Sequence, residues 1–261
     1  MTQTSLLRVE QHGEIAVLQL DRADKRNAIN NQLIAELHDF FSAPPPAARV
    51  AVLHAAGDHF CAGLDLMEML ATREPQRNVI RDQRRSRAWH RAFDLIQFGE
   101  IPVISVLKGA TVGGGMELAS ATHVRIAERS TQFQLPEGQR GIFVGGSGSV
   151  RIPRIIGAGR MVEMMLTGRS YSAEEGLQLG LAHYVVDPGA GLAKAMELAS
   201  AIATNSPVSN YAVINGVTRI AEMGHSEGLY AEMSTASLTG ADAEQRITKF
   251  FQQRRESAAV K

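Results

Sequence analysis
The stretch Gly113-Gly114-Gly115-Met116-Glu117-Leu118-Ala119-Ser120-Ala121 sets three glycines directly before a helix-like apolar run, with a carboxylate three positions after the middle glycine. Bare backbone N–H groups at such a helix start, reinforced by the helix dipole, favour developing negative charge. Residues i and i+3 share a helix face, so Glu117 projects towards whatever the Gly114 amide binds. An anion site and an acid/base group then sit on one short element, which is part of what an active site requires. The plainer alternative is a glycine-rich turn in which Glu117 only complements the dipole of the first helical turn. A second glycine element, His59-Phe60-Cys61-Ala62-Gly63-Leu64-Asp65-Leu66, leads into a short helix over 65–71 with Asp65 as its cap. The Leu64 N–H is then another free donor near a helix start, and two donors from separate loops are what an oxyanion hole needs. Spacing alone leaves open whether the two loops meet.

The elements that position these groups read as strands first and helices last. Residues 5–10 and 14–19 form a hairpin around His12-Gly13. Residues 30–41 carry Leu33, Leu37, Phe40 and Phe41 on one helical face and stop at Pro44-Pro45-Pro46. Arg49–His54, Val103–Leu107 and Val124–Ala127 are short apolar strands, and a long polar helix over 79–97 separates the first two. Ser172 and Glu175 make a capping box for a helix ending near Gly180. From Gly191 onward the pattern is helical, broken at Ser206-Pro207 and at Gly240. This is an α/β chain of alternating strands and helices with a helical C-terminal extension.

Composition narrows the function. Among 261 residues, Lys plus Arg and Asp plus Glu both number 27, which gives no net charge to draw nucleic acid or anionic lipid. The single Cys61 excludes an internal disulfide framework and suits a reducing compartment. The first ten residues lack the regions of a signal peptide, and no apolar run approaches a membrane span, so a cytoplasmic location is expected. Gly145-Gly146-Ser147-Gly148-Ser149 starts like a nucleophile elbow but ends in serine where glycine is needed. The 113–118 glycines fail the dinucleotide fingerprint at its third glycine, no P-loop lysine follows, and the eight histidines show no paired metal-ligand spacing. Cys61 reads as a small packed side chain, and His90 as a residue of a helix face. Arg77, Arg81, Arg84, Arg85, Arg87 and Arg91 could form a phosphate-binding strip for RNA, but neutral charge and few aromatics oppose it.

Phe60-Cys61-Ala62-Gly63-Leu64-Asp65-Leu66, then Gly113-Gly114-Gly115-Met116-Glu117-Leu118, then Gln134-Leu135-Pro136-Glu137 resemble the successive motifs of the crotonase (enoyl-CoA hydratase/isomerase) superfamily. Residues 20–28 are similar to that family's early loop, with Ala23 where proline is usual, and 166–169, 173–179 and 180–186 extend the likeness along nearly the whole chain. The resemblance implies a crotonase/ClpP-like spiral of ββα units over residues 1–190 and a helical oligomerisation region over 191–261 that builds trimers or dimers of trimers. It implies an acyl-coenzyme A substrate and no other cofactor. The Leu64 and Gly114 N–H groups would hold the thioester oxygen as the enolate forms. Lys25, Ala28, Ala62, Asp65 and Leu66 match positions near the adenine and phosphates of coenzyme A, and Met67 falls in the segment that shapes the pocket. Lys249 and Phe250 resemble positions reaching a neighbouring subunit's ligand.

Hydratases of this superfamily use two glutamates that share one water, and Glu117 and Glu137 fill both positions. By itself Glu137 reads as an exposed residue in a Pro-Glu-Gly turn. Gly145 matches the backbone group that helps hold the water. Isomerases often keep only the second glutamate, and dehalogenases place an aspartate near Gly145, so the resemblance favours hydration of a 2-enoyl-CoA. Isomerase, lyase and acyl-CoA hydrolase activities, and an acyl-CoA- or RNA-binding scaffold, are the alternatives. The segment 138–144 departs from the apolar, proline-containing stretch usual in hydratases, and its Arg140 could turn Glu137 away or recognise a polar acyl group.

Overall fold
The computed structural model describes residues 4–71 and 79–259. The expected hairpin is present: β1 (Leu7–His12) pairs antiparallel with β2 (Ile15–Leu20) across a two-residue turn in which Gly13 takes φ 61. Helix α1 (Asn31–Ser42) begins where the Asn30 side chain accepts the Leu33 N–H at 2.9 Å, and it buries Leu33, Ile34, Leu37 and Phe41. Then follow β3 (Val50–Ala55), α2 (Leu66–Ala71), α3 (Val79–Phe98), β4 (Val103–Leu107), β5 (Ala110–Val112), α4 (Gly114–Ser120), β6 (Val124–Glu128) and β7 (Gln132–Gln134). The remainder is α5 (Gly148–Ile156), α6 (Ala158–Thr167), β8 (Ser170–Ser172), α7 (Ala173–Leu179), β9 (Tyr184–Val186), α8 (Gly191–Ala203), α9 (Pro207–Ile220), α10 (His225–Ser237) and α11 (Gly240–Ala259). The Ser172–Glu175 capping box is formed in both directions.

The strands lie in two layers. A six-stranded sheet has the order β1-β2-β3-β4-β6-β9, parallel except for β1, and a three-stranded sheet has the order β5-β7-β8. Each pass through the large sheet is followed by a short segment in the second layer: β4 by β5, β6 by β7, and β3 by Cys61, which bridges Thr111 of β5. Stacked passes of this kind make the ββα spiral. Strands β3 and β4 are covered on both faces, which is why they read as continuous apolar runs and not as alternation. One face packs Leu18, Leu53 and Leu107 into the main core; the other packs Val52, Ile104 and Ile126 against Ala195, Ala199 and Ala203 of α8. Alanines at this spacing let α8 lie close to the sheet.

Several elements were not read from sequence. The three-residue strands β5, β7 and β8 are too short to show a period, and Pro153 inside α5 obscures that helix. The C-terminal helices are also interrupted ahead of α10, which starts after Gly224. Among the described residues no helix is long and apolar enough to cross a membrane.

Arg125, within β6, is buried and has no carboxylate partner among the described residues. Its guanidinium donates to the carbonyls of Leu181 (2.8 Å), Thr122 (2.7 Å) and Gly180 (3.1 Å), closing the ends of α4 and α7 together. Burial pulls its pKa down to about 10. Arg125→Met removes the donor to two buried carbonyls and a half-buried one, and urea unfolding is expected to show a loss of roughly 3 kcal/mol or more.

Candidate active site
The two glycine loops meet. Gly113, at φ 55, turns the chain from β5 into α4 and ties that turn to the end of β7 through its N–H to the Gln134 carbonyl at 2.9 Å. All seven residues of α4 are buried. On the other loop Leu64 bridges Ile29, and Asp65 caps α2 by accepting the Met67 and Glu68 N–H groups at 3.0 Å each. The second oxygen of Asp65 pairs with Arg22 at 2.7 Å. A Cβ built on Gly114 would lie 3.4 Å from the Leu64 nitrogen, and one on Gly63 would lie 3.1 Å from the Gly114 nitrogen, so the two amides are neighbours. Neither N–H finds an acceptor among the described residues. Two adjacent donors without partners can receive one oxyanion.

Both glutamates face the same cavity, of about 130 Å³, which Leu64, Gly114 and Gly145 also line. Glu117 Oε1 accepts the Gly146 N–H at 2.9 Å and the Gly148 N–H at 2.7 Å. Glu137 opens a 3-10 turn (Glu137–Arg140), and a Cβ on Gly113 would stand 2.6 Å from its Oε1. Its Oε2 is buried with no hydrogen-bond partner among the described residues. Burial raises Glu117 to about 7 against the pull of the Gly148 and Gly146 N–H groups, and the nearby Glu137 charge adds to the rise. Burial also raises Glu137, while Arg140 acts in the opposite direction. Trp89, edge-on to Phe93 at 5.6 Å, and Phe143 supply apolar wall.

The residues singled out from sequence fall into two groups. Leu64, Gly114, Glu117, Glu137 and Gly145 surround the cavity, and Asp65 lines an adjoining cleft with Leu64. Lys25 and Ala28 lie on the early loop, where the Ala28 N–H donates to the Lys25 carbonyl; Ala62, on the second glycine element, donates its N–H to the Arg26 carbonyl, and Leu66 starts α2. None of these four lines the cavity. The Met67 side chain is 75% exposed, and its neighbour Met69 lines the cavity instead. Phe250 is exposed on α11 beside Phe251. Arg140 is exposed, and Glu137 is not turned away. Arg84, Arg87 and Arg91 are exposed, whereas Arg85 is half-buried and lines the cavity; Arg77 and the Arg81 side chain lie outside the described residues. Cys61 is buried, and burial pushes its thiol up to about 12, so it is not a ready nucleophile.

Trp89 falls in the segment that the family resemblance assigns to the acyl pocket, and it does line the cavity; sequence reasoning missed the Gly146-Ser147-Gly148 clamp on Glu117. The glycines of that clamp were visible, but only as a failed nucleophile elbow. Nothing local pairs them with a carboxylate 29 positions upstream.

The ββα spiral is the crotonase fold, and its two glycine loops bring two free amides and two buried glutamates around one cavity. The family model for enoyl-CoA hydratase/isomerase matches residues 10–257, and the chain belongs to that family of enzymes. It is 31% identical to the 2,3-dehydroadipyl-CoA hydratase of Escherichia coli over 254 residues, covering 96% of this chain and 97% of that one. It is 28% identical to the short-chain-enoyl-CoA hydratase of Clostridium acetobutylicum over 87% of this chain and 84% of the relative. The crystal structure of a candidate enoyl-CoA hydratase from Rhodopseudomonas palustris superposes with a TM-score of 0.91 at 44% identity, covering 97% of each chain. That of an enoyl-CoA hydratase from Bacillus anthracis gives 0.87 at 28% identity, over 95% of this chain and 96% of the other.

Proposed function
We propose that this enzyme adds water across the double bond of a 2-enoyl-CoA thioester. The observation that carries the reading is the retention of both glutamates, facing one poorly solvated cavity beside two unpartnered amides. The Leu64 and Gly114 N–H groups receive the thioester oxygen as it gains charge, and the loss of one such donor costs about 2.7–4 kcal/mol in the transition state. Glu117, whose carboxylate is held by two N–H donors, takes a proton from water as the oxygen bonds to C3. Glu137, desolvated and with an unpartnered oxygen, gives its proton to C2. The Gly145 backbone holds the water. The product is the 3-hydroxyacyl-CoA, and the proton left on Glu117 balances the one Glu137 gave.

Lys25, Ala28, Ala62, Asp65 and Leu66 lie on the two loops flanking the oxyanion amides and take the coenzyme A portion, with Met67 at the margin. Coenzyme A enters as part of the substrate. Val213, Val217, Leu229, Tyr230, Met233 and Leu238 expose apolar side chains on and beside α9 and α10, which supports the 191–261 region as the builder of a homotrimer or hexamer. Phe250 would then face a neighbouring subunit. Light scattering that returned a monomer would remove that assembly.

Loss of the enoyl-thioester absorbance over a panel of 2-enoyl-CoA esters tests the reaction, with 3-hydroxyacyl-CoA as the expected product. Double-bond migration without uptake of labelled oxygen from water would replace hydration by isomerisation. Since Glu117 must be ionised to act as base, kcat/KM is expected to fall as pH drops through about 7. A profile flat from pH 5.5 to 8.5 would remove Glu117 from the base role.

A further inference from the structure
We infer that Arg151 is a positioning residue for Glu117, acting through the 146–148 loop that grips its carboxylate. The inference rests on the hydratase reading above. Arg151, in α5, is only 5% exposed. Its Nη1 donates to Ser147 Oγ, its Nε to Gln97 Oε1, and its Nη2 to Asp94 Oδ1. Gln97 and Asp94 both belong to α3, so the guanidinium bolts the loop to that helix. The fork geometry suits this, because three fixed directions are satisfied by one rigid plane.

The loop needs such a bolt. Ser147 is one of three non-glycine residues at positive φ among those described, at 79°, a conformation strained for a residue with a side chain. That conformation turns the Gly146 and Gly148 N–H groups onto a single oxygen, Glu117 Oε1. Successive amides aimed this way form an anion-binding concavity. The clamp also leaves no slack: a Cβ on Gly148 would sit 2.7 Å from Glu117 Cγ.

Arg151 does not line the catalytic cavity; it faces the groove on the opposite side of the loop. It therefore touches no reacting atom and acts only through the clamp and its charge. Among the described residues, the charges that act most directly on Glu117 are Arg151 from α5 and Glu137 from the 3-10 turn, with Arg140 behind Glu137 and Asp94 behind Arg151. From α3, Arg85 lines the same cavity as the two glutamates, and the rings of Trp89 and Phe93 approach the clamp at Gly146. Removing Arg151 withdraws a nearby positive charge and loosens two donors, and both changes favour the protonated carboxyl.

The test is the pH dependence of kcat for Arg151→Met, Arg151→Lys and Ser147→Ala, each purified as the full chain. Arg151→Met is expected to lower kcat at least tenfold, with a smaller change in KM, and to move the acid limb to higher pH by at least half a unit. Arg151→Lys keeps the charge and is expected to return the limb part of the way. Ser147→Ala removes the Oγ contacts to Arg151 and to the Gly146 carbonyl while keeping the Arg151 charge, and should lower kcat with a smaller displacement of the limb. If Arg151→Met does not fold, the other two carry the test. Loss of kcat with an unmoved acid limb in both of these variants would overturn the positioning role, as would full kcat in either with only a lower Tm. These outcomes separate from failure of the parent reading, which shows as undiminished hydration by Glu117→Gln.

Discussion
Glu117→Gln is expected to lower kcat for 2-enoyl-CoA hydration by about 10²–10⁴-fold, and Glu137→Gln by a comparable factor. Each change keeps the side-chain volume, and a glutamine oxygen can still accept the Gly146 and Gly148 N–H groups, so lost proton transfer is isolated from lost shape. The two act on one water and one acyl group, so the double variant should be little worse than the poorer single one. If neither substitution lowers activity, the chemistry assigned to this cavity fails.

The same Glu117 variant carries a stability consequence of opposite sign. Burial raises the Glu117 pKa to about 7 in the folded protein, so between the ordinary carboxyl range and pH 7 the native state holds a proton that the unfolded chain has released. Stability then falls as pH rises through that window, by on the order of 3 kcal/mol, and stays reduced above it. Glutamine carries no such penalty. Glu117→Gln is expected to unfold at a higher temperature than the parent protein at pH 8 and to show little advantage at pH 4.5. Equal Tm differences at both pH values would mean that the buried carboxyl does not carry this cost. An active-site group that destabilises its own fold is the expected signature of a desolvated acid/base residue.

Gly113→Ala is the second large effect. Position 113 sits at φ 55 and ψ −122, where a side chain is strained by about 1–3 kcal/mol, and its Cβ would stand 2.6 Å from Glu137 Oε1. The backbone must shift or Glu137 must leave its place, and the Gly114 amide shifts with the first of these. A fall in kcat of about 10²-fold or more is expected, on the scale of losing one oxyanion donor. Gly13→Ala is the matched control, since Gly13 has φ 61 but nothing within 4 Å of an added Cβ. It should cost stability through backbone strain and leave kcat alone. In a Glu137→Gln background Gly113→Ala should cost less additional activity than in the parent chain, because the contact it breaks has already lost its function. Full additivity would place its effect elsewhere, in the helix start.

Much of this arrangement was legible in the chain. The Asp65 cap, the Ser172–Glu175 capping box and the β1–β2 hairpin are each settled by hydrogen bonds between residues a few positions apart. The apolar runs of β3, β4 and β6 announce strands buried on both faces. The Leu64 and Gly114 amides were recognisable as free donors because helix starts always leave such donors unpaired. Glu137 was not legible in this way: its own neighbourhood describes an exposed turn, and only likeness to a family picked it out.

By itself the sequence determined the local pieces: which segments extend, which coil, where each helix starts, and which polar groups those starts leave without partners. Tertiary structure alone decided which pieces meet. The short strands β5, β7 and β8 exist because successive turns of the spiral stack and supply one another's hydrogen bonds, so no period within three residues could encode them. Glu137 is buried because β7 delivers it against Gly113, and Glu117 is clamped because α3, through Arg151, holds the 146–148 loop over it. Those contacts join residues twenty or more positions apart, and their energy comes from closing loops over a shared core. Local propensity has no term for that closure, which is why the site's parts could be read from the chain and their convergence could not.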